Sequence, residues 1–188
     1  MERRLIIGIG ILLIVAVLVW YVYSNYISTK KNYEKIFDEY FTQKYVDDTD
    51  YNTNTVSRQM IENLLPITKY KLKFCDNKNA LVDSPIDSIM HALRYILFTK
   101  YSEDFDDYEL ASIVAIREWS TFISTSRSYK SEQKPETKEN LKKYEDKTKF
   151  FDYTKKYIEN LKESAKTNNE YLSKEDALKS IRDIDKLC

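Results

Sequence analysis

The longest run of hydrophobic residues in this chain lies at its start. Residues 5–23 carry no charge, and twelve of the first fifteen are leucine, isoleucine or valine. As an α-helix this segment extends about 28 Å, close to the roughly 30 Å of a bilayer's hydrocarbon core. The twelve aliphatic side chains together favour insertion by about 4–7 kcal/mol. The pattern therefore predicts an N-terminal transmembrane helix within residues 1–28.

Residues suited to a membrane–water interface flank this segment at both ends. Amphipathic aromatic rings collect at the lipid headgroups, and basic side chains mark the limits of a span. The predicted membrane-interface residues are Arg3, Arg4, Trp20, Tyr21, Tyr23, Tyr26, Lys30 and Lys31. Basic residues occur on both flanks, so the positive-inside rule gives no clear orientation. The absence of an Asn-x-Ser/Thr site slightly favours a cytosolic C-terminal part.

Two other interpretations of the apolar segment fit its sequence less well. A signal peptide has a core of about 7–15 apolar residues followed by small residues at a cleavage site. Here the run is longer and continues into Trp20 and Tyr21 without an A-x-A-like site. A nucleotide-binding loop needs a polar turn, whereas Gly8 and Gly10 lie inside the apolar run. We therefore expect an uncleaved anchor.

Beyond the anchor, the spacing of apolar residues predicts a helical stalk. Tyr33, Ile36, Phe37 and Tyr40 recur at helical intervals, and charged residues occupy the other face. No proline or glycine separates them from the apolar run, so one long helix can leave the membrane, with a break predicted at Ser28–Thr29.

The middle of the chain predicts a helical core with one hairpin. A polar loop at 47–55 precedes a short helix at about 56–65. Aromatic and aliphatic residues then alternate with lysines, which predicts a short β-hairpin at about 67–82. A capping signature at Ser84 starts another helix. The acidic run EDFDD should cap a further helix. Residues 110–123 of that helix are apolar around most of its circumference, as in a central core helix.

The C-terminal third is more polar. Residues 124–134 are predicted to be a linker, and Pro135 to begin one charged helix that ends near Lys166. A second capping signature at Ser173 predicts a final helix. The fold class is thus mainly α: an N-terminal transmembrane helix followed by a small helical domain with one short β-hairpin. The predicted domains are the anchor at 1–28, a juxtamembrane helical stalk and loop at 29–52, a helical core with the hairpin at 53–125, and a linker with C-terminal helices at 126–188.

Composition narrows the range of functions. The chain has 188 residues, of which 43% are hydrophobic and 32% charged, as in a folded domain. Its 30 basic and 30 acidic residues give no net charge, so nothing indicates a nucleic-acid partner. No glycine follows Gly10, which excludes glycine-rich phosphate loops, nucleophile elbows and dinucleotide fingerprints from the rest of the chain. No cofactor is expected.

Few residues have the chemistry of a reactive site. His91 is the single histidine, with Asp87 and Tyr95 nearby on its predicted helix, but a catalytic triad or a zinc site needs further groups. Cys75 and Cys188 are too few for a disulfide framework, and the sequence leaves open whether they pair. We therefore expect no metal site, no small-molecule substrate and no enzymatic activity.

The loop at 47–55 has the start of a calcium-binding pattern. Asp48, Asp50 and Asn52 are spaced as the first ligands of an EF-hand loop. The glycine at position six and the glutamate at position twelve are missing, so an Asx-rich turn is expected instead.

A membrane-tethered helical domain without a reactive cluster is typical of a structural or interaction protein. The opening MERRLIIGIGILLIVAVLVWYVYSNY, with its remainder rich in lysine, asparagine, tyrosine and isoleucine, resembles single-pass virion proteins of large icosahedral double-stranded DNA viruses. The resemblance implies a minor capsid protein that links an inner membrane to the capsid, with capsid proteins as partners. The alternatives are an accessory subunit of a cellular secretion, respiratory or transport complex, and a membrane-tethered enzyme of unfamiliar class.

Overall fold

The computed structural model describes residues 2–64, 102–103, 105–169 and 173. Helices account for 87% of them, and none belongs to a strand, so the mainly helical class is confirmed for this part of the chain. The predicted hairpin at about 67–82 lies outside the described residues and gains no support. The helices predicted after Ser84 and Ser173 also lie outside them, as do Cys75 and Cys188.

The described residues contain six α-helices. They are α1 (Glu2–Tyr40), α2 (Gln43–Asp47), α3 (Thr53–Leu64), α4 (Asp107–Glu132), α5 (Pro135–Leu141) and α6 (Lys147–Thr167), and a 3₁₀ helix (Lys142–Tyr144) follows α5. The first half of α1 is the apolar segment, and α4 contains the predicted core helix. We call the helical part beyond the apolar segment the body.

The first helix is uninterrupted, so the predicted break at Ser28–Thr29 is wrong. The Thr29 hydroxyl lies 3.0 Å from the carbonyl oxygen of Tyr26 and 3.2 Å from that of Asn25. A threonine that bonds back to the preceding turn in this way is compatible with a helix. Because α1 contains no proline and no glycine after Gly10, its backbone has none of the usual causes of a kink there.

The fourth helix is longer than its sequence suggested. The linker predicted at 124–134 is wrong for most of its length, because α4 continues to residue 132. Ile123 and Ser126 are still buried, so one face of this polar stretch packs on the body and holds it helical. The helix ends at Gln133, whose φ of 51° is left-handed, and Pro135 begins α5.

The single charged helix predicted from Pro135 to Lys166 is divided into α5 and α6. Asp146 caps α6, its side chain accepting a hydrogen bond of 2.8 Å from the Lys149 amide. The 3₁₀ helix before it turns the ring of Tyr144 into the core, where it is buried. The division between α5 and α6 thus coincides with the buried ring of Tyr144, and no proline or glycine lies at that point of the sequence.

The core forms where the second half of α1 packs on α4 and α6. The contacts between α1 and α4 advance in the same direction along both helices, because Tyr33 meets Tyr108 and, farther along, Phe41 meets Phe122. The first and fourth helices therefore run parallel. The largest fully buried side chains are Trp119, Tyr33, Phe150, Ile36, Met60, Ile113 and Ile116.

Candidate membrane interface and anchor junction

The first half of α1 projects from the body with its apolar side chains exposed. Fifteen large hydrophobic side chains between Ile7 and Tyr26 are 48–71% exposed, and they occupy every side of the helix. Folded monomers rarely expose a contiguous apolar patch larger than a few hundred Å². An 18-residue window of α1 has a mean hydropathy of 2.4, and none of that window is buried. The helix is therefore long and apolar enough to cross a membrane.

The predicted interface residues fall at the two ends of this exposed segment. Trp20, Tyr21 and Tyr23 lie near its C-terminal end and point into open space. At 1.5 Å per residue, the α-carbons of Arg4 and Lys30 are about 39 Å apart along α1, close to the roughly 40–45 Å of a bilayer with its headgroups. The spacing of the charged flanks thus matches a full bilayer.

Where the exposed segment ends, α1 is fixed to the body by a cluster that we call the anchor junction. Tyr108 of α4 stacks on Phe151 of α6, with ring centroids 4.5 Å apart. From α1, Tyr26 meets the Tyr108 ring edge-on at 5.3 Å. Tyr33 lies 5.9 Å from the Tyr108 ring and 5.5 Å from the Phe151 ring. The other members of the anchor junction are Thr29 and Asp106.

Asp106 joins the start of α4 to α1. One carboxylate oxygen, Oδ1, accepts hydrogen bonds of 2.9 Å from the amides of Tyr108 and Glu109, and the Glu109 carboxylate accepts one from the Asp106 amide. This capping box confirms that the acidic run caps the core helix. The other oxygen, Oδ2, lies 3.1 Å from the Thr29 hydroxyl. One side chain therefore closes the helix end and holds the anchor helix.

Tyr33 links the same region to α6. Its hydroxyl donates a hydrogen bond of 2.7 Å to the carbonyl oxygen of Lys147, the first residue of that helix. Burial raises the pKa of Tyr33 well above its usual value, and the nearby Tyr108 adds to the effect. Burial and a hydrogen bond with Tyr26 likewise raise the pKa of Tyr108 to about 12. Both hydroxyls therefore stay protonated into the alkaline range, above the pH at which an exposed tyrosine ionises.

A second polar cluster lies deeper in the body. The Glu118 carboxylate accepts a hydrogen bond of 2.8 Å from the Lys143 ammonium and one of 2.7 Å from the Tyr144 hydroxyl. Lys143 also lies 4.3 Å from the centre of the Tyr153 ring. Burial alone would lower the pKa of Lys143, but the hydrogen bond and the charge of Glu118 outweigh it, so the pKa is raised. These contacts join α4, the 3₁₀ helix and α6.

Arg127 joins α4 to the end of α2. Its guanidinium donates hydrogen bonds to the carbonyl oxygens of Tyr45, Val46 and Asp48, at the end of α2. It also lies 5.5 Å from the centre of the Tyr51 ring. These are carbonyls that a helix C-terminus leaves without partners, so Arg127 acts as a long-range cap.

The residues examined for metal or catalytic chemistry have structural roles where the structure describes them. The Asp48 side chain accepts from the Asp50 amide at 2.9 Å, and that of Asn52 accepts from the Thr55 amide at 3.2 Å, which confirms the Asx-rich turn. Across the described ranges, no three His, Cys, Asp or Glu side chains group so as to hold a metal ion. The cluster considered for catalysis, His91 with Asp87 and Tyr95, lies outside those ranges.

Sequence reasoning missed the contacts that join helices far apart in the chain. Thr29 and Asp106 are 77 residues apart, and Arg127 is 81 residues from Val46. Helical spacing relates only neighbours on one helix, so it carries no signal for such pairs. Function must be argued from this geometry, because no family model, no curated protein and no solved structure matches the chain.

Proposed function

We propose that this chain is a single-pass, membrane-anchored structural or assembly protein. The apolar half of α1 crosses a bilayer, and the body docks on partner proteins beside it. The observation that carries this proposal is the division of one continuous helix. Its first half exposes hydrophobic side chains on every side, and its second half is part of the buried core.

The burial pattern favours an anchor over a core helix that has lost its partner. A helix that is apolar all round is stable either inside a large protein or inside a bilayer. The window of highest hydropathy in α1 is unburied, although Tyr33 and Ile36 of the same helix are buried. The body therefore already has its own core, and the exposed half is available to lipid.

The polar clusters favour a structural role for the body over a catalytic one. In the part of the chain that the structure describes, Glu118 and Asp106 hold helices together through side chains from different elements. Groups used in this way are satisfied by internal partners. We expect the activity of the protein to be binding, with a lipid bilayer and protein subunits as its partners and without a cofactor.

A narrower form of the proposal is a viral minor capsid component that links an inner membrane to a capsid. It rests on the resemblance of the opening sequence and of the biased composition to single-pass virion proteins. The competing form, an accessory subunit of a cellular membrane complex, needs the same anchor and differs in its partner.

The test is purification of the full-length chain from its source membranes in a mild detergent. The proposal predicts at least one partner protein at a fixed ratio, retained through size exclusion. Sedimentation with virions identifies the viral form, and sedimentation with a cellular membrane complex identifies the other. Recovery of the chain alone, from membranes that release it without detergent, would contradict the proposal.

A further inference from the structure

We propose that the body stands upright on the bilayer, with the start of α4 at the lipid headgroups and the α4–α5 turn at the end of the described part that is farthest from the membrane. The inference rests on the proposed function, because it requires the apolar half of α1 to lie in the bilayer. It adds which end of the body meets lipid and what holds it there.

The continuous helix α1 transmits the direction of the anchor into the body. The helix is continuous from Glu2 to Tyr40, and no proline or glycine follows Gly10 within it. Helix kinks are almost always found at proline, at glycine or serine pairs, or at bulges. Tyr33 and Ile36 then fix this same helix in the core. The anchor and the body therefore move as one piece.

Contacts with Tyr26 and Thr29 set the level of α4 relative to the membrane. Tyr26 is one of the interface aromatics, and it lies about 4–5 Å along α1 from Tyr23. The ring of Tyr108 touches that of Tyr26, with centroids 5.3 Å apart. Asp106 meets Thr29, less than one turn farther along α1. The N-terminus of α4 thus lies at headgroup level, and Tyr108 adds a ring from the body to the interfacial aromatic belt.

The direction of α4 follows from the order of its contacts with α1. Helix α4 runs parallel to α1, since its contacts pass from Tyr108 at Tyr33 to Phe122 at Phe41. Farther along, Arg127 and Lys130 of α4 bond to α2, which follows α1 in the chain. From Tyr108 to Gln133 is about 37 Å along the helix axis. The α4–α5 turn is therefore carried away from the bilayer, and the anchor junction resists tilting.

The orientation can be measured by energy transfer to the membrane. The full chain, with Cys75→Ser and Cys188→Ser, receives one donor dye through either Lys31→Cys or Gln133→Cys. Both variants are reconstituted into vesicles whose lipid headgroups carry an acceptor. We expect strong transfer from position 31 and weak transfer from position 133, with a height difference of about 35 Å. Equal transfer from both positions would overturn the proposal.

The role of the anchor junction is tested by a matched pair of variants. Tyr108→Ala removes the ring that joins α1 to α6, whereas Tyr108→Phe keeps the ring and loses only the hydroxyl. With the dye at position 133, we expect transfer to rise in Tyr108→Ala and to stay unchanged in Tyr108→Phe. If Tyr108→Ala retains its helicity and its transfer is also unchanged, the junction does not set the orientation and the inference fails.

Failure of this inference can be told from failure of the anchor itself. Quenching of Trp20 by lipids brominated in their acyl chains reports the anchor independently of the dye. If Trp20 is quenched and positions 31 and 133 give equal transfer, the anchor holds and only the upright orientation is wrong. If Trp20 is not quenched and neither dye transfers energy, the proposed function itself is contradicted.

Discussion

Among the single residues, Asp106 makes two sets of contacts that mutation can separate. One carboxylate oxygen caps α4, and the other faces the Thr29 hydroxyl. Thr29→Val removes the second contact, together with the hydroxyl's alternative bonds to its own helix, with little change of shape. We expect the free energy of unfolding of the body to fall by about 0.5–1.5 kcal/mol, the usual value of one hydrogen bond. Urea unfolding of the full chain in micelles, followed by helicity, measures it.

The control for that variant is Thr167→Val. Among the residues that the structure describes, the Thr167 hydroxyl bonds only to the carbonyl oxygen of Glu163 in its own helix, and Thr167 is exposed. Its replacement should change the free energy of unfolding by less than about 0.5 kcal/mol. Equal losses from Thr29→Val and Thr167→Val would show that the contact with Asp106 contributes nothing.

Glu118 is the acceptor on which the second polar cluster depends. Glu118→Gln keeps the size of the side chain but removes the charge that pairs with the partly buried Lys143 ammonium. We expect a loss of about 1–3 kcal/mol in the free energy of unfolding, since a poorly satisfied cation remains. Glu139→Gln is the matched control, because Glu139 pairs with Lys142 on the exposed surface, where ion pairs contribute about 0–1 kcal/mol. Equal effects would refute a structural role for the cluster.

The buried tyrosines make stability sensitive to alkali. Burial raises the pKa values of Tyr33 and Tyr144, with the hydrogen bond to Glu118 adding to the latter. A folded-state pKa above the unfolded value near 10 means that this stabilisation is complete below about pH 10 and lost as pH rises beyond it. We expect the body to unfold progressively above that pH, with part of the tyrosinate absorbance appearing only on unfolding. Ionisation of all tyrosines in one step near pH 10, with helicity retained, would contradict this.

At the scale of helices, local patterns predicted more of the structure than tertiary contacts did. Sequence patterns predicted features that lie within one element: the apolar run, the stripe from Tyr33 to Tyr40 and the acidic cap of α4. They did not predict that α4 continues past residue 123, because a serine-rich stretch looks like a linker until its buried face is known. The division before α6 depends on Tyr144 reaching a pocket made by distant residues.

The corrected extent of α4 gives a direct test. Ser124 lies in the interior of that helix and is exposed. Ser124→Pro should reduce the free energy of unfolding by about 3 kcal/mol or more, because proline removes a backbone hydrogen bond and clashes with the preceding turn. Ser124→Ala should be neutral or stabilising by about 0.5 kcal/mol. Comparable midpoints for the two variants in thermal unfolding would restore the linker interpretation.

At the scale of the whole molecule, the sequence predicted the division into an anchor and a helical body, but not their connection. Composition identified residues 5–23 as membrane-like, whereas the anchor junction needs side chains from three helices far apart in the chain. The interface residues predicted around Tyr26 adjoin the apolar run, so the sequence alone is enough to propose them. Tyr108 could not, since its position beside Tyr26 exists only after folding.

The proposal that the first half of α1 lies in a bilayer can be measured directly, because the chain has two tryptophans in different environments. Trp20 is 68% exposed and Trp119 is fully buried. The full chain is reconstituted into vesicles whose lipids carry bromine in the acyl chains, with Trp20→Phe as the control that leaves only Trp119. We predict strong quenching of the unmodified chain by these lipids, little quenching by aqueous iodide, and no lipid quenching of Trp20→Phe. Quenching of Trp20 by iodide but not by brominated lipid, in a chain with an intact N-terminus, would contradict the account.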